Sequence, residues 1–202
     1  TGTGELTKRL VERVGFRLTR AQERVWREIA HDLKRASPMQ RLLQGDVGSG
    51  KTVIAALAAL QAVESGRQVA FMAPTEILAE QHFRKLASWL EGLDVPIAWL
   101  SGSVPAKARK AALASLASAE TPIAVGTHAL FQEGVELPQL GLAIIDEQHR
   151  FGVAQRLALR HKLRDQDLEP HLLMMSATPI PRTLAMSYFA DLSVSTIDEL
   201  PP

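Results

Sequence analysis

Gly45-Asp46-Val47-Gly48-Ser49-Gly50-Lys51-Thr52 lies between a short apolar run, Arg41-Leu42-Leu43-Gln44, and an alanine- and leucine-rich stretch over residues 52–64 that contains neither proline nor glycine. The octet fits G-x-x-x-x-G-K-[ST] at every fixed position. The run before it reads as a strand and the stretch after it as a helix, which is the context in which this pattern cradles phosphate. Gly45, Gly48 and Gly50 lack a β-carbon, so the backbone can enter positive φ and approach an anion closely. Successive N–H groups then point inward, and the helix start adds its positive dipole end. Lys51 supplies a mobile ammonium for the β- and γ-phosphates, and the Thr52 hydroxyl can ligate Mg²⁺. The octet is therefore a nucleotide site.

Outward from the loop, the chain alternates between two periodicities. Residues 20–35 carry a helical stripe of Ala21, Val25, Ile29 and Leu33, ended by Ser37-Pro38. Residues 75–90 and 105–119 also read as helices. Strand-like apolar runs fall at residues 69–73, 97–100, 123–125, 142–145 and 172–175. Continuous apolar strands separated by helices predict an α/β fold, a largely parallel sheet with helices on both faces. Right-handed crossovers would then gather the strand C-termini along one edge. The polar segments fall after those strands: residues 45–52, Pro74-Thr75, Ser101-Gly102, Gly126-Thr127, Asp146-Glu147 and Ser176-Ala177-Thr178.

Leu142-Ala143-Ile144-Ile145-Asp146-Glu147 ends a buried strand in two adjacent carboxylates. Phosphoryl transfer needs a metal held on the phosphates and a group that orients the attacking water. Asp146 suits the Mg²⁺ role, through a coordinated water, and Glu147 suits polarisation of the hydrolytic water. Lys51, Asp146 and Glu147 make the candidate catalytic set. Gln148 and His149 follow directly. His149 is either a polar cap on the sheet edge or a coupling element that senses the γ-phosphate. Ser176 and Thr178 offer hydroxyls to it or to the carboxylates.

Composition sets bounds. A chain of 202 residues suits one large domain, or one domain with an N-terminal extension. A net charge of +1 means that no bulk field calls for a nucleic acid or a membrane, although contacts through backbone amides and hydroxyls stay possible. Cysteine is absent, which excludes disulfides and thiolate metal sites in this sequence. No apolar run is long enough to span a bilayer and no signal-peptide pattern opens the chain, so a cytoplasmic location without a membrane partner is expected.

The ordered set of residues 45–52, Ala73-Pro74-Thr75, Val125-Gly126-Thr127-His128, Asp146-Glu147-Gln148-His149 and Ser176-Ala177-Thr178 resembles the first RecA-like motor domain of superfamily 2 helicases and translocases. Within them it resembles the RecG family of branched-DNA helicases, on Gly126-Thr127-His128-Ala129-Leu130, on Ile145-Asp146-Glu147-Gln148-His149-Arg150-Phe151-Gly152-Val153 and on Ser176-Ala177-Thr178-Pro179-Ile180-Pro181-Arg182-Thr183. The motor of the transcription-repair coupling translocase looks similar, but typically carries Asp-Glu-Glu-His where this chain has Gln148.

The resemblance implies a RecA-like P-loop NTPase fold, ATP with Mg²⁺, and DNA held by its backbone at forks or Holliday junctions. It implies an adenine-recognition role for Gln22 within Leu18-Thr19-Arg20-Ala21-Gln22, with Phe16 or Arg17 flanking the ring. It implies coupling roles for Gln148, His149, Ser176 and Thr178. Pro74-Thr75, Thr127-His128 and Ser101-Gly102 resemble segments that hold one DNA strand by its phosphates. The expected layout is an extension over residues 1–17 and a helicase ATP-binding domain over residues 18–202. The second RecA-like domain, a partner in the motor, is not within this sequence. A monomer is expected. Two other classes use such a loop. A small-molecule kinase would need an arginine-rich lid that is not seen after the sheet, and a nucleotide-gated adaptor has little need of Glu147.

Overall fold

The computed structural model describes residues 5–14, 18–35, 39–45, 50–100, 104–127, 135–147, 170–176 and 193–197. Among them are five helices, α1 (Glu5–Val14), α2 (Arg20–Leu33), α3 (Lys51–Glu64), α4 (Glu76–Leu90) and α5 (Ala106–Ala117). Seven strands accompany them: β1 (Gln40–Gly45), β2 (Gln68–Met72), β3 (Ile97–Leu100), β4 (Ile123–Gly126), β5 (Leu140–Glu147), β6 (His171–Ser176) and β7 (Ser193–Ile197). The strands form one sheet in the order β3-β4-β2-β5-β6-β1-β7, and every pairing is parallel. The expected α/β fold with a parallel sheet is thus present.

Strand alternation divides the core in two. Leu43, Val69, Phe71, Val125, Ile144, Leu173 and Met175 point to the face covered by α1 to α4. Leu42, Ala70, Met72, Ala124, Ala143, Ile145 and Met174 point to the other face, where α5 contributes Leu116. Helix α3 is buried over the continuous run Val53, Ile54, Ala55, Ala56, Leu57, Ala58, Ala59, Leu60, Gln61 and Ala62. A helix apolar on all sides must be covered on all sides. The sheet covers one side of α3 and helices α1 and α2 cover others.

Helix α1 falls inside residues 1–17, which the sequence suggested as an extension ahead of the domain. It packs into the same core as the rest. Leu6, Leu10 and Val11 form a stripe at helical spacing, Leu10 is fully buried, and the Leu6 amide donates to Glu64 Oε1 on α3. Strand β7 had no counterpart in the sequence reading. It lies on the edge beside β1, with Ser195 and Ile197 buried.

The edge of the sheet where strands begin is braced by buried polar side chains. Gln68 donates from Nε2 to the carbonyls of Leu116 at 2.9 Å and Thr121 at 3.1 Å, and its Oε1 accepts from the Gln139 amide at 3.0 Å. One residue thus ties the end of α5 to the chain entering β4 and β5. Arg41 donates to Asp32 Oδ2 from Nε at 2.9 Å and from Nη2 at 2.8 Å, and to Ser195 Oγ from Nη1 at 2.6 Å. These bonds lock β1 to α2 and β7.

Beside that group, His171 Nδ1 accepts the Met39 amide at 2.8 Å, which requires an unprotonated Nδ1. Burial lowers the His171 pKa below its ordinary 6.5, with nearby Asp32 working in the opposite direction. Below that ordinary value the unfolded chain takes up a proton that the folded chain resists. This contribution to stability is therefore whole above 6.5 and is lost as pH falls toward the lowered folded value. Urea unfolding at about pH 7 and about pH 5.5 should show that loss, and His171→Gln should reduce it. An unchanged pH slope in His171→Gln would remove His171 from the effect.

Candidate active site

The parallel register sets the site. Gln44 pairs with Ser176 across β1 and β6, and Ser176 pairs with Glu147 across β6 and β5. The residue before the phosphate loop and the acidic pair therefore end at one level, with β6 inserted between them. Adjacent strands lie about 4.8 Å apart, so the ends of β1 and β5 lie about 10 Å from each other. On the far side of β5, Met72 pairs with Ile145 and with Gly126, which puts Pro74-Thr75 and Thr127 at the same edge.

Within the loop, the described residues are Gly45, Gly50, Lys51 and Thr52. Gly50 caps α3 at φ +87°, a left-handed conformation that side chains rarely adopt. A β-carbon there would strike the Gln22 Nε2 group. Lys51 begins α3, and its ammonium donates to the Gly45 carbonyl, which ties the start of α3 to the end of β1. Thr52 is half-buried beside it.

Gln22 is fully buried. Its Oε1 accepts the Thr19 amide at 2.8 Å, while its own amide donates to Thr19 Oγ1 at 3.1 Å, a reciprocal cap on α2. Its amide nitrogen lies against Gly50, so the segment expected to read adenine is packed onto the phosphate loop itself.

Asp146 is 4% exposed and shares the face of the sheet on which α3 and α4 pack. His82 on α4 lies 2.5 Å from its Oδ2 through Nε2. A carboxylate oxygen accepts, so the imidazole nitrogen donates. The sequence reading did not single out His82. Its signal was a polar residue set into the buried face that Ala79, Leu86 and Leu90 define on α4. Strand β5 ends at Glu147, next to Asp146.

Thr75 is exposed and caps α4, accepting the Leu78 amide at 3.2 Å, with Pro74 half-buried before it. Thr127 and Ser176 are buried. Phe16, Asp46, Val47, Gly48, Ser49, Ser101, Gly102, His128, Gln148, His149 and Thr178 lie outside the described residues.

The donors fit a hydrated Mg²⁺. Thr52 and Asp146 offer a hydroxyl and a carboxylate, both hard oxygen ligands. Asp146 is a buried carboxylate whose Oδ1 takes part in no hydrogen bond among the described residues. Those residues hold no cluster of three or more His, Cys, Asp or Glu side chains. Sparse ligation by one or two side chains, completed by phosphates and water, is the usual manner of Mg²⁺.

The family model for DEAD/DEAH box helicase matches residues 19–187. The chain belongs to the DEAD/DEAH box helicase family. It is 56% identical over 198 residues to the ATP-dependent DNA helicase RecG of Pasteurella multocida (strain Pm70), a match that covers 98% of this chain and 29% of the relative. It is 55% identical over 197 residues to RecG of Escherichia coli (strain K12), covering 98% of this chain and 28% of that protein. The chain thus spans under a third of these relatives. A solved structure of RecG bound to a three-way DNA junction superposes with a TM-score of 0.86 at 42% identity, covering all of this chain and 26% of that one. The fold is accordingly the RecA-like helicase domain. A DNA-bound structure of the helicase MrfA, at 18% identity and a TM-score of 0.74, shares the fold.

Gly50 offers a test of the packing at the loop. Gly50→Ala should destabilise the domain by more than about 1–2 kcal/mol, because left-handed strain is joined by the collision with Gln22. Gly66→Ala, at φ +77° with open space around its β-carbon, should show the strain alone. Equal losses for the two variants in urea unfolding would mean that Gln22 does not brace the loop.

Proposed function

We propose that this domain is the ATP-binding half of an ATP-dependent DNA helicase or translocase motor that acts on branched DNA in recombination and repair. The observation that carries the reading is the register across β1, β6 and β5, which sets the phosphate loop and the Asp146-Glu147 pair at one level of one edge. The sequence identity to RecG proteins supports the branched-DNA substrate over the transcription-repair alternative.

ATP is the nucleotide. The loop amides of residues 45–52 receive its phosphates, and Lys51 turns its ammonium from the Gly45 carbonyl toward the β- and γ-oxygens. Gln22 hydrogen-bonds the adenine edge, and Phe16 flanks the ring. Thr52 and, through water, Asp146 hold Mg²⁺. A Mg²⁺ held there would supply positive charge to the phosphates during transfer. Glu147 orients the attacking water and draws its proton. Gln148, His149, Ser176 and Thr178 link the phosphate end to the DNA-facing loops.

Pro74-Thr75, Ser101-Gly102 and Thr127-His128 hold one strand by its phosphates. Thr75 suits this task, since an exposed cap at a helix N-terminus presents a hydroxyl beside amide donors. The remaining catalytic and DNA contacts belong to a second RecA-like domain, a reading supported by the share of RecG that this chain spans. The protein works as a monomer in the cytoplasm. No described helix is long and apolar enough to cross a membrane.

Two substitutions in the complete protein test the assignment. Removal of the Lys51 ammonium by Lys51→Ala deletes a charge-assisted bond of about 1.5–3 kcal/mol and should weaken Mg·ATP binding at least tenfold. Glu147→Gln should keep that affinity and lower DNA-stimulated turnover by about 10²–10⁴-fold. Wild-type nucleotide affinity in Lys51→Ala would refute the phosphate assignment. Undiminished turnover in Glu147→Gln would pass the water-orienting role to another group.

A further inference from the structure

Resting on that reading, we infer that His82 is a positioning residue for the magnesium-binding carboxylate: its Nε2–H holds Asp146 Oδ2, fixing one rotamer of the side chain so that Oδ1 is the oxygen offered to the hydrated cation. Both side chains are nearly closed to solvent, at 12% exposure for His82 and 5% for Asp146. The His82 nitrogen lies within direct hydrogen-bonding contact of Oδ2, with no room for a water between them. The imidazole is itself fixed. It lies on α4, and its ring sits 4.8 Å from that of Phe71, tilted by 40°. Phe71 is fully buried on β2, the strand paired with β5.

Without that donor the carboxylate torsion has a broad, roughly two-fold preference, so either oxygen could face the cation. Groups that orient a metal ligand are worth about 10–100-fold in metal affinity or activity. A histidine that merely satisfied a buried acid would lower stability when replaced, and would change nucleotide binding equally with and without the metal.

The test uses the complete protein with a fluorescent ATP analogue, titrated with MgCl₂ and separately measured in EDTA, with circular dichroism to confirm folding. His82→Phe keeps a ring against Phe71 and removes the donor. The half-saturating Mg²⁺ concentration should rise by about 10–100-fold, while affinity in EDTA stays within about twofold of wild type. His82→Gln, which retains an N–H donor, should recover part of the Mg²⁺ affinity. A wild-type Mg²⁺ dependence in His82→Phe would overturn the inference, as would an equal loss of affinity in EDTA. Should His82→Phe fail to fold, His82→Leu is smaller, also lacks a donor, and is judged by the same criteria. A wild-type protein whose nucleotide binding ignores Mg²⁺ altogether would instead overturn the motor reading, and this inference with it.

Discussion

A parallel ladder constrains this molecule more than any single contact. Parallel strands cannot be joined by tight turns, so each returns by a crossover, and all of them deliver their C-termini to the same edge. Here the register extends from Leu100 through Gly126, Met72, Ile145 and Met174 to Leu42 without losing level. Gly45, Asp146 and the cap of α4 therefore share one edge because of topology. No network of side chains is needed to gather them. The insertion of β6 between β1 and β5 sets the spacing between the strand that leads into the glycine loop and the strand that ends in the acidic pair.

The opposite edge makes that arrangement stiff. Buried polar groups are costly unless they are bonded, and Gln68, Arg41, Asp32 and Ser195 are bonded. Each ties the start of a strand to a neighbouring element. Truncation of one partner would leave another buried and unpaired, which costs more than the bond contributed. Stability thus concentrates at the edge where strands begin, and the edge that carries chemistry is left to loops and helix caps.

Much of this was legible because two signals are local. The loop octet carries its mechanism in its own spacing, and the strands read as continuous apolar runs because a parallel sheet covered on both faces has no polar alternation. Strand β5 was recognised from Leu142, although the ladder begins at Leu140. Strand β7 was missed because Ser193-Val194-Ser195-Thr196-Ile197 is a short edge segment rich in hydroxyls, held by Arg41 and by Arg24, which donates to the Thr196 carbonyl at 2.8 Å. Residues 1–17 read as an extension because the recognisable motifs begin near Leu18, and the stripe of Leu6, Leu10 and Val11 in α1 is short. His82 was hidden for a different reason. Its role depends on a partner 64 positions away, and no spacing rule reaches across a sheet.

Helix α4 joins two parts of the site that sequence spacing keeps apart. Its N-cap, Thr75, is exposed at the edge where the strands end, and His82 lies about two turns further on, roughly 10 Å along the same helix. Between them the helix is anchored by Ala79 and, beyond His82, by Leu86 and Leu90 in the core. A close-packed interior does not deform continuously, so a displacement at the cap is carried down the helix and not absorbed between turns. Hydrogen bonds weaken steeply with misalignment, and the bond from His82 to Asp146 is short and enclosed. The carboxylate at the end of β5 is therefore positioned by the helix that begins beside it, and not by its own strand alone.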